Sequence, residues 1–202
     1  NFVHSGKQHG LEDMIDSLAE RDDISLVVVP DAGSSDYEYH KTLKGIGIPV
    51  LVLDHHEAIE VSENAIIINN QLSSRYPNKQ LTGAGVVYQF CRYIDENYDL
   101  DYADEFIDLA ALGIIADMGS VLEPENQYII RAGLAKENKN KLFQEMLEKQ
   151  EYSIGDLNNL NSIAISFYIA PLINALIRVG TMEEKEKMFE AFIDGTQQVL
   201  ST

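Results

Sequence analysis

The stretch Val50-Leu51-Val52-Leu53-Asp54-His55-His56 joins a short apolar run to three consecutive ionisable side chains. An unbroken apolar run of this length is typical of a strand that is buried on both faces of a parallel sheet. Similar runs lie upstream at residues 26–29, before Pro30 and Asp31, and downstream at residues 66–68. With helical patterns between them, these runs predict an α/β fold with a Rossmann-like parallel sheet flanked by helices.

Helical periodicity accounts for most of the remaining chain. Apolar residues three and four apart predict a helix over residues 11–21 and a short helix over residues 37–43. After Gln71 no further strand is predicted, and six helical segments follow, at residues 82–96, 103–116, 127–136, 141–150, 162–179 and 182–193. Pro171 is expected to kink or break the fifth of these helices.

The length of 202 residues is enough for one large domain. We interpret it as a sheet part, residues 1–80, that continues into a mainly helical part, residues 81–202. Residues 1–4 have the pattern of the middle of a strand, and residues 195–202 show no core pattern.

The charge balance limits the functions open to the chain. With 15 basic and 33 acidic residues the formal net charge is −18, which argues against broad coating of nucleic acid or anionic membranes. A nuclease is not excluded, since its site needs only local basic patches. The single cysteine, Cys91, permits no internal disulfide and fits a reducing compartment, so we expect a cytoplasmic protein. No membrane span is expected, because Ser166, Pro171 and Asn174 interrupt the apolar run at residues 163–177.

An aspartate stands at the carboxyl end of two predicted strands: Asp31 follows the first and Asp54 ends the second. In open parallel sheets the ligand crevice lies at the carboxyl ends of the strands, so the two carboxylates are expected to face one cleft. Either aspartate alone would more often cap the turn that follows. The imidazoles of His55 and His56 favour a metal site, because neutral imidazole and carboxylate are good ligands for Mn²⁺, Fe²⁺ or Zn²⁺.

A further acidic residue, Asp117, follows the apolar helical segment 103–116. A carboxylate in this position is electrostatically unfavourable, because it lies at the negative end of the helix dipole. Residues 113–116 are apolar, so we expect Asp117 to be half-buried and to need a partner such as a cation.

Taken in order, Asp31, the Asp54-His55-His56 triplet and residues 111–117 resemble the DHH phosphoesterase superfamily. The resemblance is greatest to its RecJ branch, the 5′ exonucleases specific for single strands. Residues 81–87 resemble the small-residue helix start of this branch, and residues 170–180 resemble its Pro-x-x-Asn-Ala-x-x-Arg-x-Gly segment. The resemblance covers residues 25–180, which is most of the chain.

The resemblance implies a role for each matched side chain. Asp31 is implied to bridge two metal ions, and His55 and Asp117 to bind one of them. Asp54 is implied to fix His55, and His56 to contact the scissile phosphate. The side chains and helix start implied to contact the substrate are Asn174, Arg178, Gly83 and Gly85, although tight helix packing is the alternative for the glycines. The implied cofactor is a pair of Mn²⁺ ions, with Mg²⁺ as the alternative.

The resemblance is incomplete at its start. The family begins with an Asp-rich motif on its first strand, and the upstream candidates do not stand in that pattern: His4, His9, Asp13 and Asp16. We expect this motif to precede Asn1 and the family's second domain to be absent from the sequence. Full activity is therefore not expected from residues 1–202 alone.

The predicted function is metal-dependent hydrolysis of single-stranded DNA from the 5′ end, with the helical part forming the wall of a strand channel. Candidate basic and aromatic side chains for this channel are Arg75, Tyr76, Lys79, Arg131, Lys136, Lys139 and Lys141. One alternative is a DHH hydrolase of short oligonucleotides, cyclic dinucleotides or pyrophosphate. The other is a non-catalytic DHH-like scaffold in replication or repair, against which the retention of all five Asp and His residues speaks.

Overall fold

The computed structural model describes residues 11, 12 and 14–194. The strand expected at residues 1–4 and the tail at residues 195–202 lie outside this part of the chain. The described residues form two compact units that divide between Tyr102 and Ala103. The helix that follows Thr82 therefore groups with the sheet.

The first unit, called the sheet unit, contains a three-stranded parallel sheet. Its elements are α1 (Ile15–Ala19), β1 (Val27–Pro30), α2 (Tyr37–Gly45), β2 (Val50–Asp54), β3 (Ile66–Asn69) and α3 (Gly83–Tyr98). The strand order is β1-β2-β3, with Val28 beside Leu51 and Leu53 beside Ile68. This arrangement confirms the predicted Rossmann-like α/β class.

One face of the sheet forms a closed core with α1 and α2. Val29, Val50 and Val52 pack there with Leu18 and Leu43, and all five are buried. Full burial of a Val or Leu side chain stabilises a fold by about 1.5–3 kcal/mol. This layer therefore holds the strands in the register that places their carboxyl ends side by side.

The other face of the sheet is only partly covered. Val28 is 47% exposed, Ile66 65% and Ile68 36%, so the prediction that every strand is buried on both faces is wrong for β1 and β3. The reason is topological. In the described sheet β2 lies between two strands, whereas β1 and β3 are outer strands, and α3 packs on β2 and β1.

Helix α1 is shorter than the predicted segment 11–21. The backbone N–H of Leu11 donates to the Asp36 carboxylate at 2.7 Å, and no side chain caps the start of α1. Residues 11, 12 and 14 therefore lie in bends and turns, although Leu11 itself is buried as the periodicity predicted.

The second unit, called the helical unit, contains no strand within residues 103–194. Its α-helices are α4 (Ile107–Ala116), α5 (Pro124–Ala135), α6 (Lys141–Lys149), α7 (Glu151–Ile154), α8 (Ser162–Ala164), α9 (Ala170–Val179) and α10 (Met182–Asp194), with 3₁₀ turns at Ala103–Phe106 and Leu157–Asn159. Helices α4 and α5 cross closely at Gly133, where an added Cβ would lie 2.5 Å from the Ala111 side chain. The helical segments predicted from the sequence are confirmed, with shifts of one to a few residues at their ends.

Pro171 does not break the long apolar helix that contains it. Residues Ile165–Ile169 form a π-helical segment between α8 and α9, directly before Pro171. Proline lacks an N–H and its ring clashes with the carbonyl four residues earlier, and the wider π turn accommodates both defects. The chain therefore stays helical from Ser162 to Val179.

This helix, Ser162–Val179, is long and apolar enough to cross a membrane on length and composition alone, with a mean hydropathy of 1.7 and 22% of the segment buried. Helices of soluble proteins pass the same test. Pro171 and Asn174 lie in its middle, as noted from the sequence.

Candidate metal centre

Three polar side chains follow or end the three strands at the same edge of the sheet. Asp31 comes directly after β1, Asp54 ends β2, and Asn69 ends β3. The register pairs Pro30 with Leu53 and Asp54 with Asn69. The expectation that Asp31 and Asp54 lie at the carboxyl ends of neighbouring strands is confirmed.

Asp31, His55 and His56 form a cluster in which one potential ligand atom of each lies within 4.8 Å of the others. The Nε2 atom of His55 is 3.2 Å from Oδ1 of Asp31. The two imidazole rings lie 4.5 Å apart and are tilted by 57°. The side chain of His55 is 19% exposed and that of Asp31 57%, so the cluster opens to solvent on the Asp31 side.

Asp54 lies beneath this cluster and is 1% exposed. Its Oδ1 accepts a hydrogen bond from the His56 ring at 2.7 Å, and its Oδ2 accepts one from the backbone N–H of Ser34 at 3.1 Å. Burial opposes ionisation of Asp54, but these hydrogen bonds outweigh burial and hold its pKa below the ordinary value. Asp54 is therefore a carboxylate at neutral pH and can only accept hydrogen bonds.

The charge state of Asp54 fixes the tautomer of His56. Because the carboxylate only accepts, Nδ1 of His56 carries the hydrogen, and Nε2 of the neutral ring is left with a lone pair. The His56 side chain is 50% exposed. Nε2 is the ring atom that can accept a proton or bind a metal ion.

These contacts differ from the implied pairing of Asp54 with His55. The ring that Asp54 orients is that of His56, whereas Asp54 holds His55 through its backbone N–H at 2.8 Å. His55 instead turns its ring towards Asp31. The reason is local geometry: in the turn after β2, the residue two positions on reaches back to the strand-end carboxylate.

The start of α3 packs directly against Asp31. Asp31 has a left-handed backbone with φ of 58°, and its N–H extends the sheet by bonding the Leu53 carbonyl at 2.8 Å. A Cβ added at Gly83 would lie 2.0 Å from Oδ1 of Asp31. Close packing, given above as the alternative to a phosphate site, therefore explains Gly83. Gly85 is buried two residues further on, and its N–H donates to the capping hydroxyl of Thr82 at 3.5 Å.

Two further residues, which the sequence analysis missed, hold the site together. The Asn69 amide donates to the Ser34 hydroxyl and to the His56 carbonyl, both at 2.8 Å. It thereby ties the loop after β2 to the loop after β1. Applying the strand-end argument to the third strand would have found Asn69, whereas nothing in the sequence marks Ser34.

The other predicted site residues lie in the helical unit. Asp117 follows α4 and is exposed, so the expectation that it is half-buried is wrong. The helix ends there and Met118 turns to a φ of 57°, which leaves the carboxylate outside the apolar packing of α4. Asn174 and Arg178 lie four residues apart on α9, half-buried and exposed respectively.

The donor set of the cluster is suited to a divalent transition metal. One carboxylate and two imidazoles fit Mn²⁺, Fe²⁺ or Zn²⁺, and the oxygen-rich surroundings favour the harder Mn²⁺. The position also fits, because ligands of open parallel sheets bind at the carboxyl edge. Fold and site together define a protein with a candidate metal site at the edge of a Rossmann-like sheet.

The chain belongs to the DHH family. The family model described as "DHH family, N-terminal domain" matches residues 3–114, which is more than half of the chain. This match and the RecJ relatives confirm the resemblance drawn from the triplet and its flanking motifs.

Curated relatives include single-strand exonucleases. A prophage-derived protein of Bacillus subtilis (strain 168), provisionally named single-strand DNA-specific exonuclease YorK, is 45% identical over 98% of this chain and 33% of its own length. Single-stranded-DNA-specific exonuclease RecJ of the same strain is 34% identical over 81% of this chain and 20% of its own length. The chain therefore spans a third or less of these relatives.

Solved structures of RecJ share the fold. A crystal structure of exonuclease RecJ bound to manganese matches with a TM-score of 0.73 and 25% identity, over 91% of this chain and 46% of that one. RecJ from Thermus thermophilus in complex with Mn²⁺ matches with a TM-score of 0.73 and 26% identity, over 86% of this chain and 26% of that one.

Proposed function

We propose that this protein is a metal-dependent phosphodiesterase that hydrolyses single-stranded DNA from the 5′ end. The observation that carries the proposal is the cluster of Asp31, His55 and His56 at the carboxyl edge of the sheet. The substrate is proposed from the relatives, which are named as exonucleases specific for single-stranded DNA. A DNA substrate also agrees with the cytoplasmic location expected above.

The proposed metal is Mn²⁺. The two RecJ structures contain manganese, which supports this choice. Asp31 and His55 would hold it, joined by Asp117 as the resemblance implies. A divalent ion in such a site lowers the pKa of bound water and offsets the negative charge of the phosphate. We propose two ions in the active protein, with Mg²⁺ as the alternative.

The Asp54–His56 pair is proposed to accept the proton that the attacking water loses during hydrolysis. Asp54 keeps the hydrogen of His56 on Nδ1, so Nε2 is the atom that takes up a proton. Once protonated, His56 becomes a donor that can stabilise a phosphate oxygen, and the buried carboxylate of Asp54 stabilises the imidazolium.

Residues outside the cluster are proposed to bind the substrate. Asn174 and Arg178 share one face of α9 because they are four residues apart. The guanidinium of Arg178 suits a phosphate, which it can bind with two parallel hydrogen bonds. The N–H of Gly83 at the start of α3 would favour a nearby anion, whereas that of Gly85 already donates to the Thr82 hydroxyl.

A comparison of substrates tests the proposal. With Mn²⁺, a 5′-labelled long single strand should be shortened progressively, while the matching blunt duplex stays intact, because only an unpaired strand can be threaded past the metal. Asp31→Asn serves as the control for contaminating nuclease. Cleavage of the duplex at a similar rate, or shortening from the 3′ end alone, would contradict the proposal.

The net charge of −18 favours a second candidate, a DHH hydrolase of short substrates. A long polyanion is repelled by such a protein more strongly than a dinucleotide or pyrophosphate is. Including these two compounds in the same assay separates the candidates. If either compound is cleaved much faster than the long strand, the exonuclease proposal is wrong and the short-substrate hydrolase is favoured. The proposed metal site would be unaffected by this result.

A further inference from the structure

A cavity of about 550 Å³ lies between β3 and α3, and all its lining residues fall between Val61 and Tyr93 of the sheet unit. Its volume is within the range of small-ligand sites. Besides aliphatic side chains, its lining includes three aromatic rings and three carboxamides, those of Tyr76, Phe90, Tyr93, Asn69, Asn70 and Gln89. Rings that stack and amides that pair with polar edges are the groups that bind nucleobases.

One of these amides is buried and incompletely bonded. Asn70 is 4% exposed, and its NH₂ group donates to the carbonyls of Asn78 at 3.0 Å and Leu81 at 3.1 Å. Because carbonyls only accept, these contacts fix which end of the amide faces them. Its Oδ1 atom then faces elsewhere and has no hydrogen-bond partner among the described residues. A buried acceptor without a donor is unfavourable, and a ligand N–H would satisfy it.

The cavity and the metal centre share one residue. Asn69 lines the cavity, and its amide also donates to the His56 carbonyl at 2.8 Å. A group bound in the cavity would therefore lie one side chain away from the loop that carries His55 and His56.

The charge around the cavity suits a polyanion. The whole chain has 33 acidic residues, yet none lies between Glu63 and Asp95, the stretch that supplies almost the entire lining. The same stretch carries three cations, of which Arg75 is exposed beside Tyr76. The cavity therefore has no acidic side chain in its lining that would repel a phosphate.

We propose that this cavity binds a base of the nucleic-acid strand, close to the phosphate held at the metal centre. The inference rests on the proposed function, which supplies the assumption that the bound molecule is a strand of nucleic acid. Stacking on Tyr76, Phe90 or Tyr93 and a hydrogen bond to Oδ1 of Asn70 recognise the base.

The test compares two oligonucleotides by fluorescence anisotropy, without a divalent metal so that no strand is cleaved. One is a labelled oligothymidylate, and the other has the same length but abasic residues throughout. The protein should bind the base-bearing strand about fivefold or more tightly, in line with the strength of base–aromatic stacking. Phe90→Leu and Tyr76→Leu, which keep apolar bulk but remove a ring, should lose most of this preference. The control is Tyr152→Leu, which removes a fully exposed ring of the helical unit.

The outcomes separate the inference from the proposed function. Base-dependent binding without hydrolysis by the complete protein on addition of Mn²⁺ supports the cavity and contradicts the exonuclease. Hydrolysis with equal binding of both strands contradicts the cavity alone. If the ring variants lower the melting temperature but leave the base preference unchanged, the cavity is a packing surface for protein and the inference is wrong.

Discussion

At the residue scale, the close contact of Gly83 with Asp31 makes a sharp prediction. Gly83→Ala places a methyl group 2.0 Å from Oδ1 of Asp31, so the carboxylate must move away. We expect Mn²⁺ affinity to fall at least tenfold, as for other changes that displace a metal ligand. Titration calorimetry with Mn²⁺ measures this.

The matched control for this substitution is Gly45→Ala, at a helical position where nothing lies within 4 Å of the added Cβ. It should bind Mn²⁺ as the unaltered protein does. Equal affinities of the two variants would show that Asp31 does not bind the metal in its present position.

The imidazole of His55 supports a second prediction at this scale. Its ring faces Asp31 and is not part of the apolar core, so His55→Ala should abolish Mn²⁺-dependent hydrolysis while shifting the melting temperature little. Rising Mn²⁺ should restore part of the activity, because weaker binding is overcome by mass action. Glu57→Ala, an exposed neighbour, is the control. Full activity of His55→Ala at low Mn²⁺ would contradict the assignment of His55 as a metal ligand.

At the scale of elements, the helical unit is held by a polar junction where its helices end and begin. Asp108 on α4 is fully buried, and its carboxylate binds Lys136 at the end of α5 at 3.0 Å and the backbone N–H of Asn140 at 2.5 Å. Asn140 caps α6 and donates to the Phe192 carbonyl of α10 at 2.7 Å. One carboxylate thus ties three helices together, and a fourth is joined through Asn140.

Asp108→Asn should therefore destabilise the helical unit markedly. Removing the charge leaves the Lys136 ammonium without its counterion in a mostly buried position, which costs about 3 kcal/mol. Urea unfolding followed by circular dichroism measures the change. Glu183→Gln is the control, since Glu183 pairs with Lys187 at 2.6 Å but on the surface, where such a pair contributes little to stability. Equal effects of the two variants would contradict the structural role of Asp108.

At the scale of the whole molecule, stability should depend on pH through His40. This side chain on α2 is fully buried, and neither ring nitrogen has a hydrogen-bond partner among the described residues. Burial lowers its pKa below the ordinary value, against the opposing charge of Asp36. The unfolded chain therefore binds a proton more readily, and stability falls as the pH drops below about 6.5, the pKa of an unfolded histidine.

The measurement is the melting temperature between pH 7.5 and about pH 5 for the unaltered protein and for His40→Leu. The variant should lose less stability on acidification, because the substitution removes the His40 contribution and leaves the other histidines in place. Parallel curves would show that His40 is protonated in the folded protein as readily as in the unfolded one.

Much of the molecule follows from local sequence. Short apolar runs rich in β-branched residues predict the strands β1 to β3, although β1 and β3 expose one of their two faces. Asp31 and Asp54 were predictable as site residues, because parallel strands bring their carboxyl ends to one edge. The helices of residues 103–194 follow from spacings of three and four, which are a local property of the chain.

What the tertiary structure alone decided are contacts between residues far apart in sequence. The packing of Gly83 on Asp31, the bridge from Asn69 to Ser34 and His56, and the burial of Asp108 depend on how loops and helices meet. The exposure of the outer strands β1 and β3 also depends on tertiary structure, because the strand order and the packed helices determine which faces of the sheet are buried. Sequence periodicity reports which face of an element is apolar; which partner meets that face is fixed only when the chain has packed.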